Sequence, residues 1–375
     1  MMEKDRPDLG SASREIQHLK RVSRIKHIIL EKYLPSWATI LGSQNSKLAY
    51  VDCFAGPGEY EYEGDVVEGS PVIAVQQAIK FVKDKRGRNL NVYLVDDNQK
   101  QLEQLKTKLE QLQPYPDNLE VAVQCADSRS FVPKLLQNLS SAVPAFFLID
   151  PYGHPLSIPI INKILARRRS EVLINLMWFQ INRDLPNPQV QSRLNELFGD
   201  SDWQKQPFME MQGEAREKAF LEYFKSRLAC RFVRPFRIRH DREDSRGGDR
   251  TKYYLLHGSN HVKAVLLMKE VMWKLGDEEG TFDYSGESQG VLISESPTQQ
   301  ELKDILLSEF GGKELSFDEI LEKTRRLPFT EKYYRAVLKS SEGKEITVFR
   351  ITSKRDGIKG QDRIRFKKIS GVTNV

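Results

Sequence analysis

From residue 48 onward the chain alternates between two hydrophobic periods. LAYVDCF (48–54) is a continuous apolar run of the kind a buried parallel strand shows, and it breaks into Ala55-Gly56-Pro57-Gly58. From Ser70 the apolar positions Val72, Val75, Ile79 and Val82 fall at helix spacing. NVYLVD (91–96) predicts a second strand, and Leu102, Leu105, Leu109 and Leu112 a second helical stripe. LEVAVQC (119–125), AFFLID (145–150) and VLINLMWF (172–179) predict three more strands. Strands separated by helices of this length make a parallel sheet covered on both faces, so the fold class expected is α/β, doubly wound and Rossmann-like. Residues 16–41 read as a basic amphipathic lead-in.

Beyond residue 186 the pattern changes. A polar helical region (187–227) leads to RFVRPFRIRH and TKYYLLHG, two strands that form a hairpin with a long charged loop and supply antiparallel edge strands. A helix is expected over 260–275. Residues 276–298, acidic and rich in glycine and serine, read as a linker. Three short helical stretches (301–310, 316–325, 330–340) and two strand-like runs, EITVFRIT and RIRFKKI, then spell a winged helix-turn-helix. The expected domains are therefore 1–275, a linker at 276–298, and 299–375.

Charge sharpens that division. Residues 323–375 hold 15 Lys+Arg against five acids, which gives this tail +10 of a net +6 and leaves −4 on the rest. A basic module on a mildly acidic body points to nucleic acid at one end. At 375 residues, two domains are the sensible expectation. No apolar run approaches the roughly 18–20 residues of a membrane helix. The first 20 residues contain no apolar signal core, so a cytoplasmic protein is expected. Three scattered cysteines, Cys53, Cys125 and Cys230, form neither a disulfide scaffold nor a CxxC zinc pair. His257 and His261 are read as loop residues, and no metal is expected.

The chemistry-bearing residues fall at strand ends. Asp52, Phe54, Ala55, Gly56 and Gly58 form a loop where missing side chains let backbone N–H groups approach a ligand, with a helix start beyond. Asp96, closing the second strand, stands where a ribose diol would be held, although it follows the loop by more than the usual dinucleotide spacing. Asp127, past the third strand, is within reach of an adenine amino group in this arrangement. After the fourth strand come Asp150, Pro151 and Tyr152. A carboxylate and a turn carbonyl there accept hydrogen bonds from an amine, and the tyrosine offers a π face to a planar base. Gly69-Ser70-Pro71 reads as a helix start able to close over the loop. Asn182, Arg183, Arg237 and Arg239 are read as either anion contacts or ordinary surface charges. In the tail, Arg325, Arg326, Lys332, Arg335, Lys339, Lys354 and Arg355 are the candidate nucleic-acid contacts. Lys332, Arg335 and Lys339 share one helix face, while Tyr333, Val337 and Leu338 are left to the core.

The order of DCFAGPG, VEGSPVIAV, FFLIDPYG, INLMWFQINR and YYLLHGSNHVKAVLLMKEVMW resembles the three-Cys-motif partner proteins (TcmP), methyltransferase-like bacterial proteins, over most of residues 20–275. The resemblance implies a class I, S-adenosylmethionine-type Rossmann domain and association with a separate three-cysteine-motif, radical-SAM-like protein. The Asp-Pro-Tyr-Gly element is also similar to Asp-Pro-Phe-Gly of tRNA guanine-N2 methyltransferases and, less one proline, to Asp-Pro-Pro-Tyr of adenine-N6 enzymes. Two functions follow as expectations. One is an S-adenosyl-L-methionine-dependent methyltransferase acting on an exocyclic base amine. The other is a non-enzymatic nucleic-acid-binding partner that keeps the fold.

Overall fold

The computed structural model describes residues 17, 19, 21–151, 153–240, 250–275, 283–284, 299–325, 327, 329–351 and 357–367. Helix α1 (Arg21–Gly42) precedes β1 (Lys47–Asp52), and a hairpin of β2 (Glu59–Tyr62) and β3 (Asp65–Glu68) follows. Next come α2 (Ser70–Asp84), β4 (Asn89–Asp96), α3 (Gln99–Glu110), β5 (Leu119–Cys125), α4 (Ser128–Asn138), β6 (Ala145–Ile149), α5 (Ile158–Leu165) and β7 (Ser170–Leu176). The chain continues through α6 (Trp178–Asp184), α7 (Gln191–Phe198), α8 (Gly213–Ser226), β8 (Phe232–Arg239), β9 (Thr251–Ser259), α9 (Val262–Trp273) and the two-residue β10 (Asp283–Tyr284). It ends in α10 (Gln299–Phe310), β11 (Glu314–Ser316), α11 (Phe317–Lys323), α12 (Glu331–Ser341), β12 (Ile346–Phe349) and β13 (Arg363–Phe366).

Eight strands form one sheet in the order β10-β8-β9-β7-β6-β1-β4-β5. The five from β5 to β7 run parallel. β9 lies antiparallel between β7 and β8, so only one strand of the expected edge hairpin lies outward. Alternation along the apolar strands fixes the two faces. Leu48, Tyr50, Phe146 and Leu148 pack under α1, α2, α3 and α9. Ala49, Val51, Phe147 and Ile149 pack under α4, α5 and α8. The Phe146 ring meets Tyr33, Trp37 and Tyr50, and truncating it to alanine would cost about 3–5 kcal/mol. Helices α2 and α3, after β1 and β4, cover one face, whereas α4 and α5, after β5 and β6, cover the other. The winding therefore reverses between β1 and β6, and in such sheets the ligand crevice lies at the carboxyl ends of those two strands.

Several expectations need correcting. The run VLINLMWF is not all strand: β7 stops at Leu176 and Trp178 starts α6. Strand and helix both bury their apolar residues here, so hydrophobicity alone does not mark the junction. The insert after the glycine loop is a hairpin, turned by Glu63 and Gly64, both at positive φ, as a two-residue hairpin turn requires. His257 is no loop residue. It lies inside β9, fully buried, with Nε2 2.9 Å from Glu171, whose carboxylate also accepts from the Tyr33 hydroxyl at 2.5 Å. Gly258-Ser259-Asn260 interrupts a helix but not a strand. Of the expected linker, Asp283 and Tyr284 pair in parallel with β8, and the rest lies outside the described residues.

The C-terminal elements surround a further core, which also takes in Trp273 of α9. α10, α11 and α12 pack with the antiparallel sheet β11-β13-β12 around Leu302, Phe310, Phe317, Tyr334, Val337 and Ile364. Ser316 and Glu319 cap the start of α11 reciprocally. Tyr334 is fully buried in this core, and Tyr333, partly buried, packs against it with its ring 5.3 Å from that of Trp273 of α9. Two basic side chains of the larger body reach the turn between α11 and α12: Lys269 donates to the Leu327 carbonyl and Arg234 to that of Arg325.

Candidate functional site

Strand β1 delivers Asp52 to the carboxyl edge, where its side chain is fully buried. It accepts from the Tyr50 hydroxyl at 3.3 Å and from the Phe54 N–H at 3.3 Å, and Ser70 at the start of α2 hydrogen-bonds it as well. Burial raises its pKa to about 7, with Asp150 adding to the rise and the hydrogen bonds opposing it. Cys53 and Ala55 continue the strand's bonding, with N–H groups on Leu148 O and Val95 O. Gly56 and Gly58 then take φ of +65° and +84°, which side chains resist.

The carboxylate of Asp96 braces this loop. The Gly56 N–H donates to Oδ2 at 2.9 Å and the Asn98 N–H to Oδ1 at 2.9 Å. Asp96 and the glycines thus share one edge, because β1 and β4 are neighbours in register. Asp127 lies one strand further out and is half-exposed. It caps α4 through the Arg129 N–H at 2.8 Å, and the Arg129 guanidinium holds its carboxyl below the usual range.

Asp150 emerges from β6 on the other side of β1. Lys26 of α1 contacts both of its oxygens, at 2.8 and 2.5 Å, and Asn175 of β7 donates to Oδ1 at 2.7 Å. Lys26 also lies 5.8 Å from the Tyr253 ring centroid. Pro151 is buried, and Tyr152 lies outside the described residues. Lys26 and Asn175 were not among the sequence candidates. Each carried a signal: Lys26 shares a helix stripe with Leu30 and Tyr33, and Asn175 interrupts an otherwise apolar strand. Tyr60, whose ring covers the loop, left none.

The remaining candidates are dispersed. Asn182 accepts from Arg216 at 3.4 Å, and Arg183 is exposed beside Asp184. Arg237 faces Thr251 and Glu217, an internal network rather than an open anion site. In the tail, Lys332 and Lys339 are exposed on α12. Arg335 bonds Glu331 and lies over the Phe317 ring at 4.5 Å. Arg325 lies over Phe232 of β8 at 4.8 Å and bonds the Glu322 carbonyl, so its guanidinium belongs to the contact between the two bodies. Arg326, Lys354 and Arg355 lie outside the described residues. Among the described residues no helix is long and apolar enough to cross a membrane.

No protein-family model matches the chain, and no curated protein does. Solved structures do. Protein LPL1258 of Legionella pneumophila, of family DUF519, is 14% identical, with a TM-score of 0.39 over 64% of this chain and 85% of its own. A SAM-dependent methyltransferase of Agrobacterium tumefaciens is 12% identical, with a TM-score of 0.31 over 64% of this chain and 62% of its own. A Vibrio vulnificus chain described as a modification subunit of a type I restriction enzyme is 8% identical, with a TM-score of 0.27 over 61% and 44%.

Proposed function

We propose that the larger body is an S-adenosylmethionine-dependent methyltransferase acting on an exocyclic amine of a nucleic-acid base, and that residues 299–375 are a winged helix that docks the nucleic acid. The observation that carries the reading is the Asp96 carboxylate held against Gly56 beside the β1–β6 switch point, with Asp150 on the next strand. The donor set suits the cofactor. A carboxylate with acceptor capacity to spare can take a ribose diol, and a glycine backbone admits the ligand closely. The Tyr60 hydroxyl stands over Gly56, 2.8 Å from where an added Cβ would lie. When bound, the cofactor supplies an electrophilic methyl group. Asp96 would orient it. Asp150, fixed by Asn175, would accept a hydrogen bond from the acceptor amine and align its nitrogen, and alignment of this kind supplies much of the acceleration in group transfer. Lys332 and Lys339 would contact phosphate, which positions a substrate without reading its sequence. The resemblance to three-Cys-motif partner proteins adds a three-cysteine protein as the proposed partner.

A second reading, a binding protein without catalysis, is favoured by the engagement of Asp150 with Lys26. Calorimetric titration with S-adenosylhomocysteine tests the first. The wild type should bind, and Asp96→Ala should weaken binding by about 1.5–3 kcal/mol, the worth of hydrogen bonds to a charged group. No binding by the wild type, nor by a Tyr60→Ala variant that uncovers the glycine loop, would sink the methyltransferase reading.

A further inference from the structure

Tyr60 of β2 fills the space above the glycine loop. A Cβ built on Gly56 would lie 2.8 Å from its hydroxyl oxygen, and one on Gly69 2.9 Å from its Cε2. The ring fits because both positions lack side chains. Its pKa is raised by burial and then by Asp150, Asp52 and Asp96, so the hydroxyl stands among the carboxylates of three adjacent strands. His27 of α1 packs on the ring, with centroids 5.7 Å apart.

The hairpin carrying Tyr60 is laced to its surroundings. Leu19 N–H donates to Glu61 O at 2.7 Å, Glu61 N–H to Gln17 O at 2.9 Å, and the Arg24 guanidinium to Glu68 O at 3.4 Å. Gln76 bonds Glu68 and Lys108 pairs with Glu59. Its base is closed by Gly69 N–H on Gly58 O at 2.7 Å, so the hairpin is a unit joined to the sheet through two glycines. Next to it Lys26 covers Asp150.

We propose that α1 and the β2–β3 hairpin form a cap that holds the crevice shut with Tyr60, and that an adenosine-bearing ligand enters only after Tyr60 swings away from Gly56 and Gly69. The identity of the ligand rests on the methyltransferase reading. The closed state lowers apparent affinity by the fraction of molecules that are open.

S-Adenosylhomocysteine is titrated into wild type, Tyr60→Ala and Tyr60→Phe, and amide exchange is followed by mass spectrometry. With the open state at about 1–10%, Tyr60→Ala should bind roughly 10- to 100-fold more tightly than wild type. Tyr60→Phe keeps the ring and should bind like wild type. Ligand should speed exchange at the Leu19 and Glu61 amides as the hairpin lifts. Binding by Tyr60→Ala alone also supports the cap. If the wild type binds and Tyr60→Ala binds equally or more weakly, or ligand protects those amides, the cap is wrong and the methyltransferase reading stands. If no variant binds, both fall together.

Discussion

Lys26 Nζ lies 2.5 Å from Asp150 Oδ2, joining α1 to the carboxyl end of β6 across 124 positions of sequence. Both side chains are 14% exposed, enough burial to weaken salt screening. The pair therefore couples the lead-in helix to the carboxylate proposed to hold an acceptor amine.

Removing one partner should show that coupling. Lys26→Met should destabilise the fold by about 1–3 kcal/mol, as expected when a polar partner is left without its bond. The double variant Lys26→Met/Asp150→Asn should lose less than the two single losses added together. Urea unfolding of the four proteins measures it, and additive losses would mean that the pair contributes nothing beyond its separate groups.

Two buried groups near the crevice pull stability in opposite directions with pH. Asp52 is raised to about 7 from 3.8, so the folded chain binds the extra proton and Asp52 adds stability as pH falls from 7 towards 4. His27 is lowered to about 3 from 6.5 by burial and then by Lys26, so its contribution is full above 6.5 and lost as pH falls towards 3. Over pH 4–6.5 the two slopes oppose each other. Asp52→Asn should therefore make the protein lose stability relative to wild type as pH falls through this window, and His27→Gln should make it gain. Urea midpoints across pH 4–8 test both signs.

The Glu171 network lies at the other end of β7. Tyr33→Phe removes a hydroxyl donor from a buried carboxylate and should cost about 1.5–3 kcal/mol, the worth of a hydrogen bond to a charged group. Because the site is far from the crevice edge, ligand affinity measured on the folded variant should be unchanged.

For the tail, the full chain titrated with duplex DNA and duplex RNA over a range of salt should give log K falling with log salt at about −0.9 per phosphate neutralised on DNA. Lys332→Glu with Lys339→Glu should weaken binding and flatten the slope by about two. Arg325→Ala should leave the slope alone and lower stability instead, because its guanidinium lies on Phe232. Salt-independent binding, or none to either nucleic acid, would leave the C-terminal body as a protein-contact module.

The parallel sheet was legible because its strands are buried on both faces and read as unbroken apolar runs, while α2 and α3 keep a clean stripe. Strand-end placement then located Asp52, Asp96 and Asp150 correctly along the sheet edge. What pattern could not supply was the cap. The strands EYEY and DVVE are only partly buried, so they lack the apolar alternation that marks a core strand. Lys26 and Asn175 reach Asp150 from two other elements, a tertiary fact that local spacing does not encode. Charge counting along the tail likewise overstated its free cations, since Arg335, Arg350, Arg363 and Arg365 each have an acid partner in space.

The grip of Arg234 and Lys269 on the α11–α12 turn has a metric consequence. The turn leading into α12 is held by one side chain from β8 and one from α9, which ties the start of α12 to the body that carries the crevice. A duplex seated on α12 would then present to the crevice only nucleotides at one offset from the contact point. The molecule would select its target by distance, like a caliper, and shortening or lengthening that offset in a synthetic duplex would read out the gap.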